Sequence, residues 1–446
     1  MAPPTSLLAR ATAVLLAAAL LAGCGKSLPS AETKDRGVEV TTVGGTNQLG
    51  ASGLATKNTT RLGGADAAAD AAAVALATYP GLTPATRPQT VVVVDDRDWT
   101  VALAAAALAG APLRAPLLYS ENGSLPTLSA QALAALRPTG AAALGGAQVI
   151  ALGPAGVPAG YRGLALNGPP ATLAARVERL VARLQRTAPR RVIAVGAQAP
   201  PALSMPAAGL AAESGAPILP VSRAGVPAAT RAALASLGRP AIYAIGPPSA
   251  VSHRAVAALA RYGPVHRIYP TPGAGGASGP GTGGVDAADN AIAVARYTDG
   301  AFGWGVDQPG HGLVFASAAR PLDAPAAAPL SANGDYAPLL LLEGPNRIPA
   351  TLSAYLRDIQ PAYASAPEYQ PVRGAYNHGW LIGDASAITP TVQAELDAML
   401  EISPQSSSGS APAEAGAEPS GSTSLSTTTT STTTKPSPSE PTTVTP

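Results

Sequence analysis

The sequence predicts an α/β chain built from three small tandem modules, each with a short parallel sheet. Two observations predict it. First, a strand–helix–strand–helix–strand pattern occurs three times with fixed spacing, and self-similarity at a long period outranks any local motif. One copy runs from VVVVDDRDW at Val91 to APLLYS at Ala115. The next runs from VIAVGAQAP at Val192 to APILPVS at Ala216, and the last from LVFASAARP at Leu313 to APLLLLEG at Ala337. From the first strand residue to the Pro of the Ala-Pro dipeptide the offset is 25 residues in all three. Second, the strands are continuous apolar runs, as in a parallel sheet covered on both faces. The connections are long enough for crossover helices.

Taken in order, residues 1–23 read as an export signal: Arg10, then an apolar run from Ala11 to Leu20 that is short for a membrane span. The run ends in Leu21-Ala22-Gly23-Cys24, which resembles the bacterial lipobox. That resemblance implies a lipidated, acylated Cys24 as the mature N-terminus, and two or more acyl chains anchor stably. Residues 24–58 are polar and Gly-rich and read as a tether. Module one spans 59–166, module two 167–268 and module three 285–402, with a Gly-rich loop at 269–284. Each module has a helix before its first strand: Asp66 to Tyr79, Ala171 to Gln185, and Asp286 to Tyr297. A further Pro marks the start of the next helix, at Pro126, Pro227 and Pro349. A third apolar run then ends in Gly153, Gly246 and Gly383. Ser252 and Thr389 stand as N-caps of a closing helix in the last two modules. Residues 403–446 are Ser, Thr and Pro with little apolar bulk, so disorder is expected there.

The hydrophobic share is 46% and the aromatic share only 4%. The core must therefore be Ala, Val, Leu and Ile, in helices that pack closely. Formal charge is +2, which implies no strong overall field. Few aromatics and no basic run argue against nucleic acid as a partner. Cys24 is the sole cysteine, so no intramolecular disulfide framework exists. No lysine lies between residues 58 and 434, so every fixed cation of the globular part is an arginine.

The modules resemble the cell wall-binding repeat type 2 family of Gram-positive bacteria over about residues 59–402. The carrying residues are Arg61-Leu62-Gly63-Gly64-Ala65-Asp66, Arg267-Ile268-Tyr269, the Ala-Pro strands, Asp323-Ala324, and the spacings Gly246 to Ser252 and Gly383 to Thr389. The family's Arg and aromatic residue after the first Asp are Ala67 and Ala68 here, and module two lacks a clean opening. The resemblance implies three Rossmann-like modules around a pseudo-threefold axis. It also implies non-covalent retention on an anionic wall polymer.

One stretch carries a competing chemistry. Asp96-Arg97-Asp98-Trp99-Thr100 resembles the Asp-x-Asp-x-Thr loop of haloacid-dehalogenase-type phosphatases, where paired carboxylates work with Mg²⁺. Such a site also needs a cationic side chain from a later loop, usually Lys, and a late acidic pair. The globular region has no lysine and no such pair, so a strand end capping a helix is the favoured reading. His253, His266, His311 and His378 have no metal-ligand spacing. The arginines Arg176, Arg179, Arg183 and Arg186 recur on one helix face, read as solvated and partly paired by Glu178.

Ligands of parallel sheets sit beyond the C-terminal strand ends. The candidate ligand-binding residues are Arg61, Asp66, Asp96, Arg97, Asp98, Arg223, Arg320 and Arg347, and they differ between modules. The sequence is therefore read as an exported, lipid-anchored, monomeric envelope protein on the outer face of the membrane. It binds or scaffolds on wall polymer, with no catalytic residue, metal or cofactor expected. The alternatives are a solute-binding lipoprotein and, behind it, a phosphohydrolase using Asp96 and Asp98.

Overall fold

The computed structural model describes residues 41–42, 54–270, 285–300, 302–332, 337–362 and 376–403. The export signal, Cys24, most of the tether, the Gly-rich run 271–284 and the tail from 404 lie outside the described residues. Strands β1 (Thr41–Thr42), β2 (Leu54–Ala55) and β3 (Thr59–Leu62) come first. The first repeat supplies α1 (Ala67–Thr78), β4 (Val91–Asp95), α2 (Trp99–Ala105), β5 (Leu117–Ser120), α3 (Thr127–Leu136), β6 (Val149–Leu152) and β7 (Gly163–Leu166). The second supplies α4 (Pro170–Gln185), β8 (Arg191–Gly196), α5 (Ala207–Ser214), β9 (Ile218–Val221), α6 (Ala228–Ser236), β10 (Ala241–Ile245), α7 (His253–Leu259) and β11 (Val265–Ile268). The third supplies α8 (Ala287–Arg296), β12 (Gly312–Ser317), α9 (Asp323–Ala332), β13 (Leu339–Leu342), α10 (Ala350–Asp358), β14 (His378–Ile382) and α11 (Pro390–Leu400).

The repeats form three Rossmann-like modules with short parallel sheets in a pseudo-threefold arrangement. Sheet one has the order β5-β4-β6-β7 and sheet two β9-β8-β10-β11. Sheet three runs β13-β12-β14 and then continues with β3, β2 and β1. The fourth strand of each sheet is a finding of the structure. In the first two modules it is a short edge strand, β7 or β11, placed just before the next module begins. In the third it is β3, from the other end of the repeat region: Gly379 pairs with Thr59 and Ile382 with Leu62. Thr59 to Leu62, placed by sequence at the head of module one, thus completes the sheet of module three.

The strand pattern decides which face each residue serves. Side chains alternate across a strand, so Val91 and Val93 enter an outer core while Val92 and Val94 enter an inner one. The same split separates Val192 and Ala194 from Ile193 and Val195. It also separates Leu313 and Phe315 from Val314 and Ala316. The outer cores of modules one and three are private to their modules, and that of module two admits one outside residue, Ala104 of α2. The inner core is shared by all three.

At its centre stand α2 with its 3-10 continuation Ala106–Ala109, α5 and α9, all rich in alanine and buried on all sides but for Trp99 at the start of α2 and Glu213 and Ser214 at the end of α5. Two glycines show how close the approach is. A Cβ on Gly110 would lie 2.4 Å from the Ala212 carbonyl oxygen, and one on Gly209 2.7 Å from Ser331 Oγ. The low aromatic content follows, since larger side chains would separate these helices.

The predicted landmarks fall in place for local reasons. Pro126, Pro227 and Pro349 are the N-cap residues of α3, α6 and α10. Gly153, Gly246 and Gly383 have φ of +101°, +102° and +99°, a left-handed turn that repeats in all modules and favours glycine. Ser252 and Thr389 accept from the amides of Ala255 and Val392 and so cap α7 and α11. One expectation fails. Glu178 does not serve the arginine face of α4: it is 1% exposed, its Oε2 has no partner, and burial pushes its carboxyl up to about 7.

Each leading helix bridges two modules. α1 packs on α3 and β5 of its own module and on α9 of module three; α4 likewise joins α6 to α2. A single shared inner core and a borrowed strand leave no module separable. Residues 59–402 should therefore unfold in one calorimetric transition, and deleting 54–62 should lower the midpoint of the whole block. Three separate transitions, or a stable isolated fragment 59–166, would contradict this closure.

Candidate functional site

The junction between modules one and three contains a cleft of about 330 Å³. Its walls include Asp66, Asp96, Arg97, Trp99, Arg320 and Leu322. Four sequence candidates, Asp66, Asp96, Arg97 and Arg320, therefore come together, although Arg320 lies more than 220 residues from the other three. The loop after β4 brings Asp96 and Arg97, the loop after β12 brings Arg320, and the first turn of α1 brings Asp66.

Their side chains are partly committed. Asp66 accepts from the amide of Ala69 at 2.8 Å as the N-cap of α1. Arg97 donates to both carboxylate oxygens of Asp95, at 2.7 and 3.1 Å, yet remains largely exposed. Asp96 has a buried oxygen with no partner, and burial, with Asp95 and Glu121 adding repulsion, raises its pKa. Asp98 does not line the cleft; it caps α2, accepting from the Thr100 amide at 2.9 Å and from the Thr100 hydroxyl. Trp99 and Leu322 supply the apolar part.

At the floor of the cleft, which Arg320 and Asp323 both line, lies a buried ionic group that the sequence signals only in part. Asp70 of α1 and Asp323 of α9 are fully buried, and Arg320 reaches both. Arg320 donates to Asp70 Oδ2, while the Gly64 amide donates to Oδ1 at 2.7 Å. Arg320 Nε is 3.1 Å from Asp323 Oδ2, an ion-pair distance, but neither oxygen of Asp323 receives a well-directed hydrogen bond. Two carboxyls around one guanidinium, out of water, cannot both ionise cheaply. Burial raises Asp70 to about 6, against the opposing pull of Arg320. Burial and the neighbouring Asp70 carry Asp323 well above the usual carboxylate range. Asp323 is therefore the carboxyl that keeps its proton, and Asp70 the one that ionises beside Arg320. Asp70 had a readable signal, a lone acid within the alanine run of α1; what it would meet had none.

The equivalent junctions use other chemistry. Asn290 of α8 occupies the place of Asp70, four residues after its N-cap, and donates to the Leu203 carbonyl at 2.8 Å. Leu173 of α4 takes that place in module two.

The remaining candidates lie elsewhere. Arg61 is 5% exposed and committed internally, to Gln393 at 2.9 and 3.1 Å and to the carbonyls of Gly383 and Asp384 at 3.0 and 2.8 Å. Its counterpart Arg267 donates to Gly246 at 2.9 Å and to Val251 at 2.6 Å. Both arginines tie a borrowed or edge strand to the glycine turn beside it. Arg223 and Arg347 sit on similar tight turns, Ser222 to Gly225 and Gly344 to Arg347, and neither lines the cleft. Arg347 is 79% exposed and pairs with Glu343 at 3.3 Å. Among the described residues no group of three or more His, Cys, Asp or Glu could hold a metal ion. No helix among them is long and apolar enough to cross a membrane.

No family model matches the chain, and no curated protein matches it. Solved structures do. Cwp6 from Clostridium difficile aligns with a TM-score of 0.59 at 17% identity, covering 78% of this chain and 48% of that one. Cwp8 from Clostridium difficile aligns with a TM-score of 0.55 at 16% identity, covering 77% of this chain and 52% of that one. The likeness establishes the fold, and the chain spans about half the length of each neighbour.

The carboxyl pair gives a pH signature with a definite sign. The folded state binds the Asp70 proton more tightly than the unfolded chain does. The associated stability is present below about pH 3.8 and is lost as pH rises through about 6. Asp323→Asn removes the competing acid and keeps the shape. Relative to the unmodified chain, the variant should gain stability steadily as pH rises above about 4, where an unfolded Asp323 has released the proton that the folded one still holds, read from urea midpoints between pH 4 and 8. A difference between the two chains that stays constant with pH would show that folding does not raise the Asp323 carboxyl.

Proposed function

We propose that this chain is a cell-wall-associated protein of the bacterial envelope. Its three-module body is retained on anionic wall polymer and performs no catalysis. The observation that carries the reading is the closed three-module architecture, completed by β3 and matched in fold by Cwp6 and Cwp8, which are cell wall proteins. The repeat motifs that resemble the cell wall-binding type 2 family support it from the sequence side. The commitment of Asp98 to capping α2 weakens the phosphohydrolase alternative, because that chemistry needs both carboxylates free.

The reading includes a lipid anchor at Cys24, resting on the Leu21-Ala22-Gly23-Cys24 motif alone, with the protein acting as a monomer on the outer face of the membrane. Polymer binding through exposed arginines is screened over about 8 Å at physiological ionic strength. The purified chain should therefore sediment with isolated Gram-positive walls, and the bound fraction should fall severalfold as salt rises from 50 to 500 mM. Equal retention on walls stripped of anionic polymer would sink the polymer claim.

The anchor is tested separately. Cys24→Ala should leave an unprocessed precursor or release the protein from the membrane fraction on cell lysis. Normal processing and unchanged partition would remove the lipid anchor and leave the wall claim standing.

A further inference from the structure

The near-neutral total conceals a strong segregation of charge. Between Asn167 and Ile268 there are twelve arginines and two acidic residues; from Val285 to Ile402 there are five arginines and thirteen acidic residues. Of the two acids in module two, Glu178 is buried inside the body and Glu213 lies near Arg191. A cationic surface on module two follows.

That surface has a groove of about 480 Å³ between α6 and α7, on the far side of module two from the shared core. Arg231 of α6 and Arg254 and Arg261, on and just after α7, line it together with Tyr262. The three arginines are exposed. None makes an ion pair or a side-chain hydrogen bond among the described residues. Small residues, Ala257 and Ala258, keep the groove open between them. Tyr262 is half-buried against the outer core of the module and presents a fixed ring at the edge.

The fold does not require these arginines. α10 and α11 of module three are the counterparts of α6 and α7, matched by the caps Pro227 with Pro349 and Ser252 with Thr389. The positions of Arg231, Arg254 and Arg261 there hold Ser353, Thr391 and Ala398. Module one has no helix at all after β6. The same framework thus forms with small neutral side chains, and three unpaired guanidinium groups repel one another where they stand.

We propose that this groove is a binding site for an acidic saccharide unit, with its phosphate or carboxylate oxygens held by Arg231, Arg254 and Arg261 and its ring lying on Tyr262. The guanidinium fork matches the two oxygens of a phosphate or carboxylate. The volume falls within the range of small-ligand sites and is larger than one oxyanion needs. The assignment rests on the envelope function above for its biological setting, and it locates the contact in module two, outside the cleft between modules one and three.

The test is calorimetric titration of the full chain with glucose 1-phosphate, glucose and inorganic phosphate. Glucose 1-phosphate should bind at least tenfold more tightly than either of the others, as expected if ring and oxyanion both contribute. R254Q/R261Q should weaken it by tenfold or more with an unchanged melting temperature. R179Q/R183Q, which removes the same charge from the exposed face of α4, should change it less than twofold. Equal loss in the two double variants would reduce the effect to the general field and overturn the site. Phosphate binding as tightly as the sugar phosphate would overturn the role of the ring. Capture of phosphatidylglycerol vesicles through Arg254 and Arg261, without sugar-phosphate binding, would reassign the groove to lipid headgroups and overturn the saccharide claim. Loss of sugar-phosphate binding in R254Q/R261Q with full wall retention separates the groove from the envelope function. Failure of wall retention with sugar-phosphate binding intact would sink the envelope function alone.

Discussion

The structure depends on each leading helix being buried on two sides at once. α1 must cover the outer face of sheet one and also lie against α9 of module three. Only a helix narrow all round can do that, and AAADAAAVALAT, apolar but for Asp70 and the terminal Thr78, is such a sequence. The same requirement explains the central helices, where backbone approaches backbone and a single Cβ on Gly110 or Gly209 would collide. Alanine buries little area per residue, so stability comes from the many close contacts of packed small side chains. Strand exchange adds register more than energy. β3 has four residues, and each ladder hydrogen bond is worth about 1 kcal/mol net.

Register matters because the seam is where the chain meets itself. β3, Arg61 and α1 come from one end of the repeats; β14, Gly383 and Arg320 come from the other. Arg61 secures the strand by bonding to the turn carbonyls. Arg320 secures the helix by bonding to Asp70. The other two junctions join segments that already follow one another in sequence, and they manage with an amide, Asn290, or with a leucine, Leu173. Among the described residues, only the seam, which closes the ring, gathers two buried carboxyls around one arginine. Removing one partner of such a group is costly because it strands the others, so the group opposes alternative pairings of the edge.

The seam also shapes the cleft above it. Arg320 is spent below, on Asp70 and Asp323, and Arg97 is half spent on Asp95. The cleft between modules one and three is therefore mixed in character, with an exposed guanidinium, a partly buried acid and a Trp99 wall. Module two is different. Its junction carries no ionic group at the equivalent place, and most of its arginines, Arg267 apart, remain on the surface. The division of labour is electrostatic: module three is acidic, module two is basic, and the near-zero total says nothing about either.

The repeat spacing by itself determined the three-module plan, the strand cores, the proline-started helices and the glycine turns, because each depends on a local backbone requirement that a residue type announces. Pro fixes φ, Gly permits φ near +100°, and Ser or Thr caps a helix. The candidate residues at the strand ends were legible for the same reason, since a parallel sheet places them at one edge. Tertiary structure alone decided which sheet β3 joins, because a four-residue strand pairs with whichever edge the ring brings near. It also decided that Arg61 is a tie within the fold, that Glu178 is buried, and that Asp70 and Asp323 share Arg320. Those outcomes depend on which groups meet across more than 200 residues of chain, and burial, not residue type, sets their charge state.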